Sequence, residues 1–148
     1  MLVSIVHADL SHLDALVPLF DAYRVFYRKP SDPEAAQAFL SDRLGAGDSV
    51  LFLARLGDEA VGFSQLYPLF SSVRMRRVWL LNDLYVAPEA RRQGVAVALM
   101  DAARDYAAST GAVALQLATE HDNTDAQALY ERLGYERDTD FRTYELAL

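Results

Sequence analysis

The chain has 148 residues, 52% of them hydrophobic, with 5 prolines, no cysteine and a formal net charge of −7. That length and apolar fraction exclude a disordered chain and predict a single domain over residues 1–148 with a sizeable core. Without cysteine there is no disulfide framework, thiolate nucleophile or cysteine-based zinc site, and the acidic balance argues against a nucleic-acid binder.

Near the N-terminus, His7, Asp9, His12 and Asp14 break up the apolar residues. Neither a signal peptide nor a membrane span is expected, and the cytoplasm is the expected compartment. Leu2 to Val6 reads as a short strand. Ser11 with Asp14 reads as a helix N-cap, and Leu13, Leu16, Val17, Phe20, Tyr23 and Tyr27 recur at helical spacing. Lys29-Pro30-Ser31-Asp32-Pro33 stops that helix and caps a second one, expected to end at Gly45. Val50 to Arg55 and Ala60 to Tyr67 are strands joined by the turn Leu56-Gly57-Asp58-Glu59. Arg77 to Val86 is the next strand. Strict alternation puts Val78, Leu80, Leu84 and Val86 on one face and Trp79, Leu81 and Tyr85 on the other. Both faces are apolar, as in a central strand covered on both sides.

A helix with an apolar stripe of Val95, Leu99, Ala102, Ala103 and Tyr106 ends near Gly111. A strand through Val113, Leu115 and Leu117 follows, and Asn123 caps a helix that stops at Gly134. A short strand near Tyr135 is possible by pattern, and a final strand is expected over Arg142 to Leu146. The order is β-α-α-β-β-β-α-β-α-β. It gives a mixed, mostly antiparallel central sheet with helices on both faces, an α/β (α+β) fold.

Two segments carry chemistry. Arg91-Arg92-Gln93-Gly94-Val95-Ala96 fits Arg-x-x-Gly-x-Ala where a central strand feeds a helix. A helix N-terminus exposes unpaired N–H groups and partial positive charge, and glycine lets the backbone approach a phosphate. The segment has neither the Gly-Lys-Ser/Thr of a P-loop nor the three glycines of the dinucleotide fingerprint. The second segment runs from Asn123 to Tyr135 and, taken alone, is an ordinary capped helix. Within the central strand, Asn82 and Asp83 interrupt the apolar run. A carboxylate there is costly unless it is paired or partly hydrated, as beside a wet cleft.

In this order and spacing, the two segments resemble the acetyl-CoA motifs of the GNAT (Gcn5-related) N-acetyltransferase family. Leu84 to Met100 matches the pyrophosphate motif, Leu115 to Tyr135 the following strand and helix, and Ala60 to Tyr67 the usual third strand. Asp21 to Tyr27 and Leu81 to Val86 are most similar to the small bacterial Hpa2-like subgroup, itself similar to diamine and thialysine acetyltransferases. The resemblance implies an N-acetyltransferase (an acyltransferase) with acetyl-CoA as co-substrate. The acetyl group would pass directly to a primary amine, small, polyamine-like or lysine-like, with no covalent enzyme intermediate.

By the same resemblance, the pantetheine arm would pair with backbone groups of Leu84, Tyr85 and Val86. The pyrophosphate would sit on Arg92, Gln93, Gly94, Val95 and Ala96, with charge from Arg91 and Arg92, and Asn123 would contact the cofactor. Tyr130 would protonate the departing thiolate, and the Tyr85 N–H would polarise the thioester carbonyl. Polyamine-type members commonly carry a glutamate where this chain has Asn82, and an amide is no base. Asp83 is adjacent, but strict alternation points it to the opposite face unless a bulge re-aims it. A water relay through Asp83 or Glu120, or an amine arriving neutral, are the open routes. Arg92 stands where a glycine is common. Asp21, Tyr27 and Asn82 are the candidates for acceptor binding. The alternative reading is a non-catalytic acyl-CoA-binding or sensing module, favoured by Asn82. No metal is expected, since His7, His12 and His121 lack ligand spacing. The expected partners are acetyl-CoA and an amine, with no nucleic acid or membrane, and by resemblance a homodimer.

Overall fold

A computed structural model describes residues 2–148. They form two compact units, the first running to Leu117 and the second from Ala118 to Leu148. The first unit holds a five-stranded sheet in the order β1-β2-β3-β4-β5, made of Val3–His7, Val50–Leu56, Glu59–Ser71, Arg76–Val86 and Ala114–Gln116. The first four strands are antiparallel neighbours, and β5 joins β4 in parallel. The β2–β3 hairpin closes over Gly57 and Asp58 as the sequence predicts, with Gly57 at a φ of 60°. β3 runs on to Ser71, beyond the expected end at Tyr67.

Helices cover both faces of this sheet. On one face lie α1 (Leu13–Phe26) and α2 (Pro33–Ala46), whose Leu16, Leu19, Phe20, Ala36 and Leu40 form a buried cluster with Leu51, Leu53 and Phe63. Burying one such large side chain stabilises by about 2 kcal/mol. On the other face lies α3 (Val95–Ser109), which buries Val95, Leu99, Met100, Ala103 and Ala107. The α3 ring of Tyr106 sits against His7, Phe52 and Trp79. Gly62 of β3 makes this approach possible: a Cβ there would lie 2.8 Å from the Tyr85 carbonyl oxygen and 3.3 Å from Val95 Cγ1.

Several boundaries differ from the sequence reading. Asp9, not Ser11, provides the first cap, in a capping box with His12 around a 3-10 turn at Leu10–His12, and Asp14 falls in the first turn of α1. The second helix passes Gly45 and stops at Gly47, the one of the two glycines that turns left-handed, with φ 65°. The second unit contains α4 (Thr124–Arg132), capped by Asn123 as expected. Residues 142–146 pair with nothing as a strand, nor does the stretch at Tyr135, so the expected closing strand is absent from the described residues. Its alternation is real, but a strand exists only where its N–H and C=O groups find a ladder. Among the described residues no helix is long and apolar enough to cross a membrane.

Candidate active site

The site is built around an irregularity in β4. Gln65 pairs with Asp83 and Leu66 with Leu81, so Asn82 is an extra residue bulged out of the ladder. A bulge rotates everything after it to the other side of the sheet. Trp79 therefore meets Tyr106 of α3 at 5.4 Å, while Tyr85 meets Tyr23 of α1 at 6.2 Å. The single face expected for Trp79, Leu81 and Tyr85 is corrected by this bulge. Asp83 turns with Tyr85 toward α1, the re-aiming that strict alternation withholds.

There Asp83 is 4% exposed and fully engaged. Gln65 Nε2 donates to Asp83 Oδ2 at 2.6 Å, and Asn82 Nδ2 donates to Oδ1 at 2.8 Å. Ser49 Oγ donates in turn to Gln65 Oε1 at 2.9 Å. The Tyr23 hydroxyl also reaches the carboxylate, and lies 3.4 Å from the Asn82 carbonyl oxygen. Burial pushes the Asp83 carboxyl above the usual carboxylate range, and the hydrogen bonds from Gln65, Asn82 and Tyr23 offset part of that push. Burial, and then the Asp83 charge, push Tyr67 up to about 12. Tyr23 is raised by the same two causes in the same order. Both phenols thus stay protonated beside the carboxylate. A buried carboxylate with a raised pKa and no cationic partner among these contacts is a candidate for proton transfer.

Next along the chain is the glycine-bearing turn. Gly94, at φ 81°, is the N-cap of α3, no side chain caps the helix, and a Cβ there would meet nothing within 4 Å. The first N–H groups of α3 have no intrahelical partner and open onto that space. Arg92 adopts φ 61°, a left-handed conformation that favours glycine, so this backbone accounts for the glycine common at the position. Arg91 Nε donates to the Val86 carbonyl oxygen at 3.1 Å, and Gln93 Nε2 to that of Glu89 at 3.3 Å, so both side chains brace the turn. Uncapped N–H groups, an open glycine and two arginines fit a diphosphate. β4 pairs with β5 only from Val78 to Leu80, so Leu84, Tyr85 and Val86 carry no strand ladder on their outer edge among the described residues.

Of the acceptor candidates, Asn82 lies at the bulge. Tyr27 packs edge-on against Tyr23 with ring centroids 5.1 Å apart. Asp21 is committed to the loop between α1 and α2: its carboxylate accepts from Ser31 Oγ at 2.6 Å and from the Asp32 N–H at 2.7 Å. Asn123 and Tyr130 belong to the second unit. Asn123 Oδ1 accepts from the Ala126 N–H at 3.2 Å, and the Tyr130 ring lies 6.1 Å from that of Tyr135. Sequence reasoning missed Gln65 and Ser49 as site residues. The signal available was a glutamine in an apolar strand opposite an aspartate in another.

The model of the Acetyltransferase (GNAT) family matches residues 16–135. The chain belongs to this family. As a GNAT protein it is an N-acetyltransferase, and the family uses acetyl-CoA. It is 49% identical to the uncharacterized N-acetyltransferase YhfO of Bacillus subtilis, over 96% of this chain and 95% of that one. It is 30% identical to the D-amino-acid N-acetyltransferase HPA3 of Saccharomyces cerevisiae, over 81% of this chain and 76% of that one. The crystal structure of a probable acetyltransferase superposes with a TM-score of 0.92 at 48% identity, covering 98% of this chain and 97% of that one.

Proposed function

We propose that this GNAT domain transfers the acetyl group of acetyl-CoA directly to a primary amine, with Asp83 accepting the amine proton. The observation that carries this reading is the bulge at Asn82, which turns a buried, amide-held carboxylate toward α1 beside the open edge of β4. Asn82 stands where polyamine-type relatives carry their glutamate, and Asp83, one residue on, supplies the carboxylate instead.

The N–H groups of Arg92 to Ala96, with the charges of Arg91 and Arg92, would hold the diphosphate. The edge of Leu84 to Val86 would take the pantetheine arm as an added strand, and by the family resemblance Asn123 would contact the cofactor. Acetyl-CoA, when bound, supplies the thioester carbonyl and a thiolate as leaving group. The Tyr85 N–H would polarise that carbonyl. The Tyr130 hydroxyl, with an ordinary phenol pKa of about 10, matches a leaving thiol in basicity and would give it a proton. Tyr27 and Asn82 would face the acceptor; Asp21 is left out because the loop occupies its carboxylate.

The test is CoA release from acetyl-CoA by the purified chain across polyamines, lysine analogues, D-amino acids, aminoglycosides and basic peptides. D-amino acids are included because HPA3 is named for them. Release with one amine class, and recovery of the acetylated amine, is the expected result. Acetyl-CoA binding with a flat panel would refute these amine classes as acceptors and favour an acceptor outside the panel or a sensing role.

A further inference from the structure

Three polar side chains cross the otherwise apolar interior in one hydrogen-bonded file. Ser49 is 8% exposed, Gln65 is fully buried, and Asp83 lies at the end. Ser49 Oγ donates to Gln65 Oε1 at 2.9 Å, and Gln65 Nε2 donates to Asp83 Oδ2 at 2.6 Å. The direction of the file follows from its chemistry. A glutamine amide turned the other way would set its oxygen against an ionised carboxylate oxygen, two acceptors facing each other with no proton between them. The carboxylate therefore sets the amide's orientation, and Ser49 Oγ satisfies the oxygen end by donating to it. The Asp83 oxygens thereby become unequal: Oδ2 is tied into the interior, and Oδ1 faces the exposed Asn82.

We infer that Gln65, hydrogen-bonded between Ser49 and Asp83, is a positioning residue that holds the carboxylate through Oδ2 and leaves Oδ1, on the Asn82 side, for the acceptor amine. Asp83's catalytic use rests on the reading above; the positioning does not. The other titratable groups around the carboxylate are Tyr23 from α1 and Tyr67 from β3, with Asn82 on β4 beside them. The Arg43–Asp48 pair, at 2.8 Å, acts on Tyr67. Of the donors to this carboxylate, Gln65 is the fully buried one. In the transfer itself, the amine nitrogen forms the new N–C bond as the C–S bond breaks. Its proton passes to Asp83 Oδ1 and the sulfur leaves as thiolate.

The experiment is a carbon-13 NMR titration of the Asp83 side-chain carboxyl in the full chain, as wild type, Gln65→Met, Ser49→Ala and Ser49→Thr. Loss of the Gln65 donor moves the Asp83 midpoint up by about one pH unit or more. Ser49→Ala moves it the same way by less, and Ser49→Thr restores it. The acidic limb of kcat/KM moves alkaline in step. An unmoved midpoint in a folded Gln65→Met protein overturns the inference. If that variant does not fold, Ser49→Ala decides by the same criterion. Asp83→Asn separates the two claims, because full turnover in it would refute Asp83 as base whatever the midpoints do.

Discussion

Replacing Gly62 with alanine puts a methyl group where β3, β4 and α3 come closest. The added Cβ meets the Tyr85 carbonyl oxygen at 2.8 Å, Val95 Cγ1 at 3.3 Å and Leu99 Cδ1 at 3.4 Å. Carbon contacts are at their best near 3.5–4.0 Å. The two side chains yield by small rotations, but the carbonyl oxygen belongs to the ladder in which Gly62 pairs with Val86, and it moves only if β4 does. Overpacking of this kind costs about 1–3 kcal/mol, and the stiffer unfolded chain returns about 0.4–1 kcal/mol, leaving about 1–2 kcal/mol of destabilisation. At about 2–4 °C per kcal/mol for a chain of this size, Tm falls by about 5 °C. Val95 begins α3 and Tyr85 lies on the open edge of β4, so CoA affinity falls several-fold too. Thermal and urea denaturation with CoA titration would measure both effects. A Tm within about 1 °C of wild type, with unchanged CoA affinity, would show that the helix and strand do not meet as described.

Ser64 is fully buried with its hydroxyl unpaired, a loss of about 1–3 kcal/mol relative to a satisfied group. Ser64→Ala is expected to raise the unfolding free energy by about 0.5–1 kcal/mol, read as a higher urea midpoint; a lower midpoint would mean the hydroxyl has a partner. Asp83→Asn should trade activity for stability in a pH-dependent way. The folded protein raises the Asp83 pKa above its unfolded value of about 3.9, so ionisation opposes folding. That penalty is absent below the unfolded pKa and complete above the folded one. The variant should therefore outlast wild type in urea at pH 7 and lose the advantage at pH 3; an equal difference at both would refute the assignment. Tyr130→Phe should lower kcat by about 10²-fold or more while leaving acetyl-CoA affinity within about threefold, read from steady-state kinetics and calorimetry. Unimpaired turnover would remove the proton-donor role.

Much of this fold was legible because its elements carry strong local signals. The Gly57–Asp58 hairpin, the apolar stripe of α3 and the Asn123 cap appear where periodicity and capping chemistry put them. What was not legible depended on tertiary pairing. The alternation over 142–146 looks like a strand, yet pairing belongs to the neighbour as much as to the segment. Gly45 and Gly47 are equivalent as stop signals, and only backbone closure separates them. The bulge at Asn82 is the instructive case. Period-two reading carries one phase through a strand, while one extra residue reverses the phase and moves Asp83 from the wrong face to the α1 side. The Gln65–Asp83 partnership follows from that register, so it was hidden for the same reason, although Asp83 stood out as a polar interruption of an apolar strand.

The most direct test of the account is the pH dependence of kcat/KM for wild type and Asp83→Asn with the best acceptor from the amine panel. The account predicts a one-proton acidic limb in wild type, above the usual carboxylate range of about 3.9–4.3. It predicts that Asp83→Asn loses the limb and at least about 100-fold in kcat/KM while still binding acetyl-CoA. A variant within about threefold of wild type, with the limb unchanged, would contradict it.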